Sequence, residues 1–298
     1  MKNVDDALEE ITVLTKEAGT SPMTTALPGV LVIRGEVPAH QLAAVYEPII
    51  GFTVQGTKVI SIGDDVIRAA APSYYVIPTD VPATGLVRQG KGDRPYLSLG
   101  LRINLDSLLT LLKDLPEERD EIKSPNFSAC DATPEFVNAW LRMLRLLKSP
   151  KDIPGLFPAY EREILYQVLM GPQGWRLRQL CLMNGRTSGI HQAIQWIRGN
   201  FMKPIAIKPI AAKWGMAVTT FHRQFKLMTG LSPIQFQKQL RLLEARRLLS
   251  FEGFAVATAA YQVGYQSASQ FNREYTRFFG TSPARDTAKI RQLSLSAK

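Results

Sequence analysis

Read as apolar and polar positions, the chain changes texture three times along its 298 residues. Residues 3–18 set Leu8, Ile11 and Leu14 among charges, the spacing of a short amphipathic helix. From Gly29 the pattern becomes short apolar runs broken by turn residues, at 30–34, 49–55, 58–62, 65–68, 74–78 and 96–103. Gln55-Gly56-Thr57 and Gly63-Asp64-Asp65 fall between runs as hairpin turns. Short strands at such close spacing predict a β-sandwich or barrel, and a barrel of this size can hold one small molecule in its mouth. After Asp106 the helical period returns, in Leu108 to Leu112, Phe136 to Leu147 and Ile164 to Leu169. Pro134 suits a first helical turn, and Gly171-Pro172 ends the last of these helices. Leu141, Leu144, Leu147 and Leu165 exceed what one small barrel needs, so a face between Phe136 and Leu169 is expected to pair with its copy in a homodimer.

Toward the C-terminus one order of features occurs twice. Ile210 to Met216 holds small residues and a turn at Gly215, Ala217 to Lys226 follows with Phe221-His222-Arg223-Gln224-Phe225, and Gly230-Leu231-Ser232-Pro233 closes. Thr258 to Tyr265 turns at Gly264, Gln266 to Tyr275 follows with Phe271-Asn272-Arg273-Glu274-Tyr275, and Gly280-Thr281-Ser282-Pro283 closes. Each copy reads as a short helix, a glycine turn and a second helix, the unit that lays a helix into the DNA major groove. A helix over 187–201, with Ile190, Ile194, Ile197 and Phe201 inward, precedes them, and Pro204 and Pro209 frame the entry. A continuous helix over 233–249 joins the two.

Charge sharpens the division. Residues 1–170 carry 17 Lys+Arg against 22 Asp+Glu, and residues 171–298 carry 19 against 4, so the basic excess of +10 belongs to the half that holds the repeat. A basic half of this kind is the footprint of phosphate binding. Cys130 and Cys181, the two cysteines, are far apart and in no ligand-like spacing, so neither a disulfide framework nor structural zinc is expected. The front half has a single histidine, His40, where a metal-dependent barrel enzyme needs a cluster, and no GxSxG, P-loop or GxGxxG is present. No catalytic residue, metal or cofactor is therefore assigned. Neither a leader-like N-terminus nor an apolar run of 18 residues occurs, and a cytoplasmic protein without a membrane span is expected.

Down to Gly-x-Ser-Pro at the end of each copy, residues 188–290 resemble the DNA-binding domain of AraC/XylS-type transcription regulators. Pro28-Gly29, Tyr46-Glu47-Pro48, Val54 to Lys58 and Pro95-Tyr96-Leu97 are similar to the cupin-like sensor domain of one branch of that family. The resemblance implies an α+β two-domain protein: a cupin-like β-barrel with flanking helices, then an all-α domain with two helix-turn-helix motifs. The expected limits are 1–170 for sensor and dimerisation, 171–187 for a linker and 188–298 for DNA binding. By the family pattern Thr219, His222 and Arg223 of the first unit, and Ala268, Ser269, Asn272 and Arg273 of the second, face double-stranded DNA. Phe221, Phe225, Phe271 and Tyr275 pack inward. Arginine can read guanine, asparagine adenine, and Thr or Ser base or phosphate. Two positions depart from the family: Ala217 replaces a helix-capping serine, and Ala284-Arg285-Asp286 replaces a Tyr-Arg pair.

On the predicted strands Arg34, Tyr46, Gln55, Lys58, Tyr75 and Arg102 are the candidates to line an effector pocket. The expected function is a transcription regulator, an activator by the family's habit, controlled by a small-molecule effector and acting through RNA polymerase. The alternative is an architectural DNA-binding protein whose front half only dimerises.

Overall fold

The computed structural model describes residues 3–16, 23–35, 42–116, 127–184 and 189–296; His40 lies outside them. Among the described residues the N-terminal part has ten antiparallel strands. These are β1 (Met23–Thr24), β2 (Val30–Arg34), β3 (Ala44–Tyr46), β4 (Ile49–Gln55), β5 (Thr57–Ile62), β6 (Asp65–Ala70), β7 (Ser73–Ile77), β8 (Val81–Arg88), β9 (Leu97–Arg102) and β10 (Ala129–Asp131). They form a six-stranded sheet, β1-β2-β9-β4-β7-β10, and a four-stranded one, β3-β8-β5-β6. The turns read from the sequence are there: Gly56 at φ 80° joins β4 to β5, and Gly63 at φ 58° joins β5 to β6.

Five helices cover one face of the larger sheet: α1 (Val4–Leu14), α2 (Leu105–Lys113), α3 (Pro134–Arg145), α4 (Ile153–Met170) and α5 (Gly174–Asn184). Pro134 occupies the first turn of α3, and the Thr133 hydroxyl accepts from the Phe136 N–H as its cap. One core joins the sheet residues Val30, Val32, Phe52 and Leu99 to Trp140, Leu144, Ile164 and Leu165. Leu141, Leu144 and Leu165, expected to form a dimer face, are fully buried inside this one chain, because α1, α3 and α4 pack on one another. The stretch 171–187, read as a linker, contains α5, whose Leu177, Leu180 and Cys181 belong to the same core.

Seven helices follow: α6 (Gly189–Asn200), α7 (Ile207–Lys213), α8 (Val218–Thr229), α9 (Pro233–Phe251), α10 (Val256–Gln262), α11 (Ala268–Phe279) and α12 (Pro283–Ser296). α7 and α8 are the first helix-turn-helix, turning at Gly215 with φ 68°, and α10 and α11 the second, turning at Gly264 with φ 93°. α8 and α11 both end on a left-handed glycine, Gly230 and Gly280. α9 starts with a capping box between Ser232 and Gln235.

Candidate nucleic-acid interface and sensor pocket

The seven positions expected to meet DNA lie on the outer sides of α8 and α11. Thr219, His222 and Arg223 are exposed, as are Ser269, Asn272 and Arg273, and Ala268 is half-buried at the start of α11. Phe221, Phe225, Phe271 and Tyr275 are buried beneath them, so the aromatic-x-Arg-x-aromatic spacing puts rings inward and the arginine outward. Ser267 caps α11 by accepting from the Gln270 N–H, whereas Ala217 offers α8 no side-chain cap.

The carboxylates of this half are turned inward or paired. Its four acidic residues are each in an ion pair: Glu244 and Glu252 with Arg247, Glu274 with Lys238, and Asp286 with Arg246. Asp286, one of the departures from the family pattern, is buried and also accepts from the Tyr275 hydroxyl at 2.8 Å. It ties α12 to α9 and α11. Nothing in its local pattern points to Arg246, which lies 40 residues away in the chain.

A cavity of about 340 Å³ opens in the barrel, lined by Leu31, Ile33, Leu42, Tyr46, Lys58, Tyr75, Ser98 and Arg102 among others. Gly100 of β9 is part of its lining, and Gly51 of β4 pairs with Gly100 and with Tyr75 of β7. A Cβ at Gly51 would stand 2.1 Å from the Tyr75 ring, so any other residue there displaces that ring. Lys58 is 4% exposed, and its ammonium sits 5.1 Å from the Tyr46 ring centroid and 5.6 Å from that of Tyr75. It meets no carboxylate among the described residues. Arg102, at the rim, is half exposed and pairs with Glu47 at 3.3 Å. Burial holds the phenols of Tyr46, Tyr75 and Tyr96 above the ordinary tyrosine value, Tyr96 at about 12, so they face the pocket region as neutral groups.

Four of the six candidate pocket residues, Tyr46, Lys58, Tyr75 and Arg102, line this cavity; Arg34 and Gln55 do not. Arg34 donates to the Thr12 carbonyl oxygen and Gln55 to the Thr12 hydroxyl, so both support α1 on the opposite face of the sheet. Strand alternation explains the first, since Arg34 shares a face with the core residues Val30 and Val32. A β-bulge between Thr53 and Gln55 explains the second, because it brings Gln55 opposite Leu97 instead of onto the side of Thr53 and Ser98.

Barrel and helices share a core. Ile60, Ile62, Ile77 and Phe127 pack with Ile194, Phe221, Phe225 and Leu231. Asp80, 5% exposed just beyond β7, accepts from Gln195 at 2.6 Å and pairs with Arg198 at 2.8 Å, both on α6. Burial lowers the pKa of His191 on the same helix, against the pull of Asp80. β3 lies between two cavities: Ala44 and Val45 line the barrel cavity and also a second cleft of about 510 Å³ against Leu240 and Leu243 of α9. Among the described residues no group of three or more His, Cys, Asp or Glu could hold a metal ion, and no helix is long and apolar enough to cross a membrane.

A pocketed β domain carrying two helix-turn-helix units on one connecting helix defines a two-domain regulator of the helix-turn-helix class. Residues 26–176 match the profile of the AraC-type transcriptional regulator N-terminus, and residues 210–288 match that of the helix-turn-helix domain. The chain belongs to the AraC-type transcriptional regulators. It is 27% identical over 172 residues to the transcriptional activator RhaS of Salmonella paratyphi B and, equally, of Salmonella typhimurium, which is 57% of this chain and 59% of the relative. The match thus spans under two thirds of those relatives' length. Among solved structures, fatty-acid-bound ToxT of Vibrio cholerae aligns with TM-score 0.54 at 10% identity, over 88% of this chain and 96% of that one. ToxT bound to a methylnaphthalenyl butenoic acid aligns with TM-score 0.52 at 9% identity, over 91% and 97%. At these identities the likeness is one of fold.

Proposed function

We propose that this regulator is a transcription activator switched by an organic anion held in the barrel at Lys58. The observation that carries the reading is the buried Lys58 ammonium without a carboxylate partner among the described residues. The Tyr46 hydroxyl is its polar partner there, and a ligand carboxylate would add the countercharge that this buried ammonium lacks, oriented by the phenols of Tyr46 and Tyr75. The apolar walls, Leu31, Ile33 and Leu42, suit a hydrocarbon or aromatic body. That the ToxT structures of the same fold hold carboxylic acids, and that RhaS is an activator, agrees with this reading.

In this reading residues 1–170 sense, with α5 completing their core, and residues 188–298 bind DNA. α8 and α11 enter successive major grooves on one face of the duplex, about 34 Å apart, so one chain covers a non-palindromic site of about two turns. Activation implies a contact with RNA polymerase. A homodimer would use the outer row of α4, where Leu156, Tyr166 and Met170 are exposed, since the leucines of α3 are enclosed.

The test is a panel of aliphatic, aromatic and sugar carboxylates scored by thermal shift of the full chain. A binder at a hundred times its Kd should stabilise by about 2.7 kcal/mol. Lys58→Met should abolish the shift and leave DNA affinity without effector unchanged, and a chelator should alter neither. Binding that survives Lys58→Met, or a response restricted to neutral compounds, would refute the reading.

A further inference from the structure

The two helix-turn-helix units are joined by more than the length of α9. Phe201, Met202 and Lys203 follow the end of α6, where carbonyl groups have no further helical N–H to accept from. Side chains of α9 supply it. Gln237 Nε2 donates to the carbonyls of Phe201 at 2.9 Å and Lys203 at 2.6 Å. One turn further, Arg241 Nε donates to Phe201 at 2.7 Å, and its Nη2 to Met202 and Lys203 at 3.1 Å each. The remaining arm, Nη1, donates to the carbonyl of Gly264 at 2.9 Å. Gly264 is the turn glycine of the second unit, and α6 packs in one core with Phe221 and Phe225 of α8, so one guanidinium holds the helix that supports the first reader and the elbow of the second at once. The fit there is close: a Cβ at Gly264 would stand 2.1 Å from the Met202 carbonyl oxygen.

We infer that Arg241 is a positioning residue for DNA recognition, setting the separation and rotation of α8 relative to α11 and so the number of base pairs the chain accepts between its two half-sites. The inference rests on the reading that both units contact bases. Moving one half-site by a single base pair shifts it about 3.4 Å along the axis and turns it by about 35°. Two heads clamped to one another cannot follow that movement, and two heads joined by a helix alone can. The clamp needs arginine's rigid fork, since four acceptors lie around one planar group and an ammonium concentrates its three donors at one atom.

Binding-site selection with the full chain, first on random duplex and then on the selected half-sites with spacers varied by one base pair, tests this. The wild type should lose roughly tenfold in affinity at a wrong spacer, the scale of a mismatch in a specific site. Arg241→Ala should lose under threefold while its base preference within each half-site stays the same, and Arg241→Lys should fall between. A merely structural contribution would lower affinity for all spacers alike and leave the spacing preference intact. Should Arg241→Ala fail to fold, Arg241→Lys, which keeps the charge and the aliphatic stem, decides alone. Folded variants with the wild-type spacing preference overturn the inference. A wild type that selects a single half-site with no spacing rule overturns the two-headed reading, and the inference with it.

Discussion

The first helix-turn-helix unit shares its hydrophobic core with the barrel, whereas the second encloses its own. Phe221, Phe225 and Leu231 pack against Ile60, Ile62 and Phe127 of the β domain, and Asp80 fastens α6 alongside. Phe271 and Tyr275 of the second unit share a core with Leu242 and Leu249 of α9, Ala260 of α10, and Val263 and Tyr265 of the turn, and with no barrel residue among those described. Where the barrel faces that unit, a cleft of about 450 Å³ lies between Ser61, Gly63, Asp64 and Thr84 on one side and Glu274, Arg277 and Phe278 on the other. Close-packed interiors transmit strain and open clefts do not. In the proposed reading a change of shape in the barrel therefore meets α8 directly and reaches α11 only through α9 and the Arg241 clamp, so the first head is the one the barrel addresses.

The largest effects that would break this contrast are core truncations. Phe271→Ala should cost about 3–5 kcal/mol and unfold the second unit, leaving the effector-induced shift in Tm of the barrel in place. Leu231→Ala, at the junction of α8 and α9 against Gly63, should cost about 2–5 kcal/mol and broaden the melting of barrel and first unit together. Calorimetry with and without effector distinguishes them; equal loss of the effector shift in both variants would erase the contrast.

Smaller effects sharpen it. Arg223→Ala and Arg273→Ala should each lower affinity by about 1–3 kcal/mol and relax base preference at positions about ten base pairs apart. Footprinting across an effector titration should find the Arg223→Ala loss changing with effector more than the Arg273→Ala loss does. Relaxation at the same position in both variants would contradict a two-headed reader. The smallest effects belong to the helix starts. Ala217→Ser should stabilise α8, and Ser267→Ala should destabilise α11, each by about 1 kcal/mol, read from Tm.

What the sequence made legible was local. Both turn glycines, the Gly-x-Ser-Pro closures and the buried ring pairs of α8 and α11 follow from residues within a few positions of one another, and they stand where the pattern put them. The strand runs and their hairpin glycines were legible for the same reason. α5 was not. Trp175, Arg176, Leu177, Arg178 and Leu180 are buried almost all round, so no alternation of polar and apolar faces marks a helix, and Gly171-Pro172 before it looks like the start of a linker. The leucine surplus of α3 and α4 pointed outward only for want of α1, which packs against α3 from the far end of the chain. Among the pocket candidates, alternation alone cannot say which face of a strand a helix covers, and a single bulge moved Gln55 from one side to the other. The contacts of Arg241 and of Asp286 join segments 11 to 40 residues apart, a distance over which composition carries no signal.

The pairing of all four acids in the basic half bears on how the protein finds its site. With those carboxylates held by Arg246, Arg247 and Lys238, the reader surfaces carry little negative charge to hold a duplex off. Such a surface releases counterions from any stretch of DNA, whatever its sequence, and moves along it by sliding and hopping. If an effector switches the chain as proposed, the chain spends its time on DNA with or without that effector. Switching becomes a redistribution among sites already within reach, so the speed of response is set by travel along DNA and falls as ionic strength rises.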